Sequence, residues 1–381
     1  MALKVSSRGR VPPFIVMDVM RAANERMAQG EDVLHLEVGQ PGTPAPRGVI
    51  EAARAALERD RIGYTEATGL MSLRARIARH YQETAGLELD PGRVVVTTGS
   101  SGGFLLSFLS CFEAGDRVAL AAPGYPAYRN ILSALGIEPV VLETEAAHRF
   151  QPTPDLLAAA GGRLDGLIVA SPSNPTGTML DRAAFEALVA YCRERDIRLI
   201  SDEIYHGITY DAPAVSVLEL SDEAIVINSF SKYFSMTGWR LGWMVLPHDL
   251  LRPVECLAQN LFISPPTLSQ VAGEAAFDCR AELDGYVAAY GRNRALLLRD
   301  LPQAGFDRLA PADGAFYIYA DVTQRTNDSE AFCKRMLAET GVAATPGIDF
   351  DPARGNRFVR FSFAGPEDEI AEALKRLRAW R

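Results

Sequence analysis

Ser229-Phe-Ser-Lys-Tyr-Phe-Ser-Met-Thr-Gly-Trp-Arg-Leu-Gly-Trp243 decides the fold of this chain. The stretch follows Glu223-Ala-Ile-Val-Ile-Asn228 and runs into Leu241-Gly-Trp-Met-Val-Leu246, two apolar runs that read as buried strands. A polar cluster between buried strands is where an α/β protein puts chemistry, in the crevice outside the strand ends. One amine, Lys232, stands here among hydroxyls, with the guanidinium of Arg240 close by in sequence. An amine desolvated beside other cations has a depressed pKa and attacks a carbonyl as a neutral nucleophile. Arginine and serine hydroxyls suit a phosphate dianion. The stretch therefore predicts a seat for an aldehyde that carries a phosphate. A lone lysine in a polar run also reads as a solvated surface residue, and the two flanking strands argue against that.

Apolar runs recur at 93–97, 117–121, 138–142, 166–170, 198–201, 224–227 and 242–245. Helical patterns lie between several of them, at 103–112 and 182–195 for example. This alternation predicts an α/β fold, a mostly parallel seven-stranded sheet with helices on both faces. The runs are continuous rather than alternating, which is the mark of strands buried on both sides. From about residue 281 the pattern changes to a long helix, aromatic strands at 314–320 and 358–363, and a charged helix at 367–378. That reads as a smaller α+β domain, with the N-terminal helix 16–30 packed on it. The expected division is a large domain over 48–282 and a small one from 1–47 and 283–381.

The 381 residues are 48% hydrophobic, enough for substantial cores, and carry a net charge of −9, so no nucleic-acid footprint is expected. The five cysteines, at 111, 192, 256, 279 and 333, form no C-x-x-C pair and no dense framework, which fits a reducing cytoplasm. No metal is expected. The N-terminus lacks the apolar core of a signal peptide, and no apolar run reaches the ~18 residues of a membrane helix. The expectation is a cytoplasmic globular protein.

Several further motifs carry chemistry, and each also has a plain structural reading. Thr97-Thr-Gly-Ser-Ser-Gly-Gly103 follows a strand and opens a helix. Backbone N–H groups there face an anion with the positive end of the helix dipole behind them, making Ser100 and Ser101 phosphate ligands or merely a turn. Ser201-Asp-Glu-Ile-Tyr205 ends a strand. Asp202 there could pair with a protonated pyridine nitrogen and keep the ring an electron sink, and Tyr205 could donate to its phenolic oxygen. A capping aspartate and a packing tyrosine are the alternative, and His206 reads as structural. Ala170-Ser-Pro-Ser-Asn-Pro-Thr-Gly177 is a rigid turn that would aim Asn174 at cofactor and substrate. Pro123-Gly-Tyr-Pro-Ala-Tyr128 offers Tyr125 to stack on a pyridine ring. Arg360, inside an aromatic strand, needs a partner, either an internal carboxylate or a substrate α-carboxylate gripped by its fork. Gly39 lies where backbone could approach that carboxylate. Together these features describe a site for pyridoxal 5′-phosphate.

In this order, over roughly residues 33 to 365, the motifs resemble the class I/II aminotransferases, pyridoxal-phosphate enzymes of fold type I related to aspartate aminotransferase. Ser-x-Ser-Lys followed by Gly-x-Arg-x-Gly is the most specific part of the resemblance. It implies that Lys232 is the Schiff-base lysine and general acid/base, Asp202 the pyridinium partner and Tyr205 the phenolic-oxygen donor. Asn174 would touch both cofactor and substrate. Ser100, Ser101, Ser229 and Arg240 would form the phosphate cup, Tyr125 the stacking aromatic, and Arg360 with Gly39 the carboxylate clamp. Tyr64, in Gly63-Tyr-Thr-Glu-Ala-Thr-Gly69, is similar to a tyrosine that reaches the neighbouring subunit's phosphate, so a homodimer with shared sites is implied. The implied activity is ping-pong transfer of an amino group from an L-amino acid to a 2-oxo acid, 2-oxoglutarate foremost, through pyridoxamine phosphate.

A C–S β-lyase shares the whole site and is the nearest rival. A cofactor-binding regulatory module belongs to a different class, and the acidic charge and the length argue against it. A nicotinamide-binding dehydrogenase fails for want of G-x-G-x-x-G after a first strand. The apolar Val11-Pro-Pro-Phe-Ile15 leans toward an aliphatic or aromatic substrate, whereas an acidic one would need a second cation from Arg8, Arg10, Arg21 or Arg129.

Overall fold

The computed structural model describes residues 3–59 and 61–380. Seven strands build its main sheet: β1 (Val94–Thr97), β2 (Arg117–Ala122), β3 (Glu138–Glu143), β4 (Gly166–Ala170), β5 (Arg198–Asp202), β6 (Ile225–Ser229) and β7 (Gly242–Val245). Their order is β1-β7-β6-β5-β4-β2-β3, and only β7 runs antiparallel to its neighbours. All seven stand where the apolar runs placed them, within two residues.

The two-sided burial inferred from those runs is visible residue by residue. Val94, Val96, Leu167, Val169, Val226 and Val245 enter one core with Leu73, Ile77, Phe185 and Leu188 of the helices Met71–Ala85 and Arg182–Glu194. Their neighbours Val95, Ile168, Ile225, Ile227 and Met244 enter another, with Phe104 and Phe108 of the helix Ser100–Cys111 and Val254 of the helix Leu251–Leu261. Successive side chains of a strand point to opposite faces, so a strand covered on both sides must be apolar throughout.

A second body forms around an antiparallel four-stranded sheet of Thr345–Pro346, Phe358–Ser362, Tyr317–Asp321 and Arg308–Leu309. Leu34–His35 pairs in parallel with Val342–Ala343 beside it, which ties the start of the chain to this C-terminal unit. The aromatic strand expected from residue 314 begins at Tyr317, because Ala315 has a left-handed φ of 56° and breaks the extension. The helix Arg280–Asp300 serves both bodies: Leu283 lies in a core of the large sheet, Tyr290 and Leu297 in the core of the small one. The helix Ile15–Ala28 starts on the carboxylate of Asp349, which accepts from the amides of Ile15 at 3.0 Å and Val16 at 3.3 Å. Among the described residues no helix is long and apolar enough to cross a membrane.

Candidate active site

The parallel strands end on one edge of the sheet, and the residues singled out by sequence gather there. Asp202 is the last residue of β5, Asn174 lies just beyond β4, and Lys232 just beyond β6. Ser100 opens the helix after β1, and Tyr125 caps the helix Pro126–Leu135 after β2. Gly39 and Arg360 approach from the second body. Ser100, Ser101, Tyr125, Asn174, Asp202, Tyr205, Lys232, Arg240, Gly39 and Arg360 all line one cavity of about 360 Å³. A larger groove, about 610 Å³, lies at the opposite edge, among strand beginnings such as Arg198, and holds none of these residues.

The Lys232 amine donates to the carbonyl of Gly39 and lies 5.7 Å from the Tyr205 ring centre. Burial and then the nearby Arg360 lower its pKa to about 8, so roughly a tenth of the amine is neutral near pH 7, far more than for a solvated lysine. Asp202 is 4% exposed and takes the Ile204 amide on one oxygen and the Tyr128 hydroxyl on the other. Burial raises its pKa to about 6, against the pull of those two donors. Among the described residues it has no ion-pair partner, so a buried negative charge waits for a cation.

Arg360 is 2% exposed. One nitrogen donates to Asn174 Oδ1 at 2.9 Å, another to the Glu37 carbonyl, and its Nε is buried without a partner. Among the described residues no carboxylate pairs with it, which leaves the fork for a ligand. Arg240 holds a left-handed φ of 51°, strain of the kind stored at functional sites. Its guanidinium presses on Gly99, where a Cβ would meet Nη2 at 2.4 Å, so only glycine allows that approach.

Two predicted residues stand outside the cavity. Ser229 turns inward, its hydroxyl donating to Ser231 Oγ at 2.8 Å, and Ser231 takes its place in the lining. Tyr64 is 84% exposed and touches nothing of its own site. His206, read as structural, lies between the Ser171 carbonyl at 3.1 Å and the Glu203 carboxylate at 3.4 Å and does not line the cavity. Sequence reading missed Ser231, Thr237, Tyr128 and Tyr317. Ser231 was in plain view in Ser-x-Ser-Lys, and Tyr128 stands one helical turn beyond Tyr125. Nothing in the aromatic run 314–320 distinguished Tyr317 from its packing neighbours.

The family model for aminotransferase class I and II matches residues 31–377. The chain belongs to the class I and II aminotransferases. It is similar to the valine–pyruvate aminotransferase of Mycobacterium tuberculosis, 54% identical over 99% of this chain and 98% of that protein. Among solved structures, an aminotransferase from Mycobacterium tuberculosis superposes with a TM-score of 0.98 at 54% identity, covering 100% of this chain and 99% of that one. The Thermus thermophilus aspartate aminotransferase with maleate superposes at 0.93 with 31% identity, covering 99% and 100%.

The aminotransferase is thus a transaminase of fold type I that depends on pyridoxal phosphate, and the C–S lyase reading is not favoured. The residues present fit that cofactor: an unbalanced buried carboxylate for its ring nitrogen, an amine of lowered pKa for its aldehyde, and hydroxyls with Arg240 at a helix N-terminus for its phosphate.

Proposed function

We propose that this aminotransferase takes the amino group of an aliphatic L-amino acid, valine foremost, and passes it to pyruvate in two half-reactions at one site. The observation that carries this reading is the composition of the cavity wall. Phe14, Val16, Met17, Met20, Val38 and Ile204 give it an apolar side. Its cations, among the described residues, are Lys232, Arg240 and Arg360, and Arg8, Arg10, Arg21 and Arg129 do not line it. Lys232 is the reacting amine, Arg240 is assigned to phosphate and Arg360 to the α-carboxylate. A second carboxylate would be left unpaired, which favours pyruvate over the expected 2-oxoglutarate. The name of the Mycobacterium tuberculosis relative points the same way.

When bound, pyridoxal phosphate supplies an aldehyde for amines to attack and a ring that draws electrons from the substrate's Cα. Asp202 would hold a negative charge against the ring nitrogen and so keep the ring protonated. Ser100, Ser101, Ser231, Thr237 and Arg240 would hold the phosphate end, Tyr125 would pack on the ring, and Tyr205 would donate to the phenolic oxygen. Arg360, with Asn174, grips the substrate carboxylate and turns the Cα–H bond toward Lys232. The neutral Nζ of Lys232 would remove that proton from Cα and deliver it two bonds away, on the far side of the amino nitrogen. The apolar wall excludes water that would divert the reaction.

The chain division at 48 and 282 is read as two domains meeting at this cavity. A homodimer, in which Tyr64 reaches the partner's phosphate seat, accounts for so exposed a tyrosine. The decisive experiment mixes holoenzyme with a panel of amino acids, follows the bound cofactor's band near ~420 nm, and then adds pyruvate or 2-oxoglutarate. Valine should bleach the band and pyruvate restore it. Faster bleaching by aspartate, with restoration by 2-oxoglutarate alone, would reverse the substrate assignment.

A further inference from the structure

Tyr317 is among the polar groups of the cavity wall that have no part in the steps above. Tyr317 lines the cavity and is fully buried. Its hydroxyl lies 2.7 Å from that of Tyr205, its only hydrogen-bond partner among the described residues. The Arg360 guanidinium sits over its ring, 4.4 Å from the centroid. Gly39 closes the remaining side: a Cβ there would stand 2.6 Å from the Tyr317 hydroxyl. Tyr317 therefore touches the carboxylate clamp with its ring and the oxygen donor with its hydroxyl.

We propose that Tyr317 is a positioning residue that donates its proton to Tyr205, so that Tyr205's own proton stays directed at the cofactor's phenolic oxygen. The inference rests on the reading of Tyr205 as donor to that oxygen. A phenol has one proton and two lone pairs. Once Tyr205 gives its proton to the cofactor, it can only accept from Tyr317. In the reverse arrangement Tyr205 spends its proton on Tyr317 and the site loses its donor. One feature of the geometry favours the productive direction. A cation over the Tyr317 ring draws charge from its oxygen and strengthens it as a donor. Burial raises the pKa of both phenols, so each keeps the proton that the chain of donors needs. A donor that itself accepts a hydrogen bond is strengthened by it. Tyr317 so ties Arg360 and Tyr205 into one unit, sitting on the first and feeding the second.

The test is a pH titration of the holoenzyme's visible absorbance band, independent of turnover. A hydrogen bond to the cofactor's ionised oxygen favours the deprotonated form, so losing it raises the midpoint. Tyr205→Phe should raise the midpoint most. Tyr317→Phe should raise it by roughly 0.3 to 1 pH unit, the size of one neutral hydrogen bond. In the Tyr205→Phe background, Tyr317→Phe should add nothing. Because Tyr317→Phe keeps a ring under Arg360, affinity for an unreactive carboxylate such as isovalerate should stay within about twofold. Gly39→Ala, which crowds the same hydroxyl, should shift the midpoint in the same direction.

A shift with Tyr205→Phe but none with Tyr317→Phe or Gly39→Ala overturns the inference and leaves the Tyr205 reading intact. An equal Tyr317→Phe shift in both backgrounds also overturns it. No shift with Tyr205→Phe removes the underlying reading first.

Discussion

Asp202 carries a charge that the polypeptide alone leaves unbalanced, and its titration is therefore a direct probe of cofactor binding. Its pKa rises from an ordinary 3.8 to about 6 in the folded chain. A raised folded value means that this group stabilises the apoprotein below about pH 4 and that the contribution is lost as pH climbs through 6. A bound ring cation reverses the sign, since it favours the ionised carboxylate. The gap in Tm between holo- and apoprotein should widen as pH rises from 4 to about 6, and Asp202→Asn should flatten that part of the curve. Lys232→Ala should abolish turnover while cofactor still binds without covalent attachment. Wild-type rates from the purified variant would end the lysine assignment. Arg360→Lys, which trades a fork for a point charge, should raise KM for the amino acid about tenfold or more, since a charged hydrogen bond is worth some 1.5–3 kcal/mol. Tyr128 was invisible as a functional group in the sequence, because its hydroxyl reaches Asp202 only when the helix Pro126–Leu135 is brought beside the end of β5.

At the scale of elements, continuous apolar runs were legible because strands with both faces covered have no polar positions to spare. The helix Ile15–Ala28 shows where that kind of reading stops. Its N-terminus has no side-chain cap of its own, and the carboxylate that serves it, Asp349, is more than 300 residues away. Val16, Met17 and Met20 at its start face the substrate cavity. Asp349→Ala should lower stability by about 0.5–2 kcal/mol, the usual cost of a lost cap. It should also raise KM for valine more than it lowers kcat, measurable by thermal melts and steady-state rates. An unchanged KM would detach this helix from substrate recognition.

Across the whole molecule, the site lies between two bodies with separate cores, joined by a helix that is buried in both. Tyr64 extends the question to a second copy of the chain. Tyr64→Phe should weaken cofactor retention in the dimer, and the difference from wild type should vanish at concentrations low enough for subunits to separate. Equal retention at every concentration would exclude a role across the interface. By itself the sequence determined the seven strands and the cofactor's chemical class and put Lys232 forward as the reacting amine, since each depends on local pattern and on residues close together in the chain. Only the tertiary structure decided that Ser231 rather than Ser229 faces the cavity, that the wall is apolar, and that Tyr317 bridges Arg360 and Tyr205. Those outcomes depend on how Gly39, Tyr205, Tyr317 and Arg360, from four distant segments, pack into a shared volume, and packing of that range leaves no trace in local spacing.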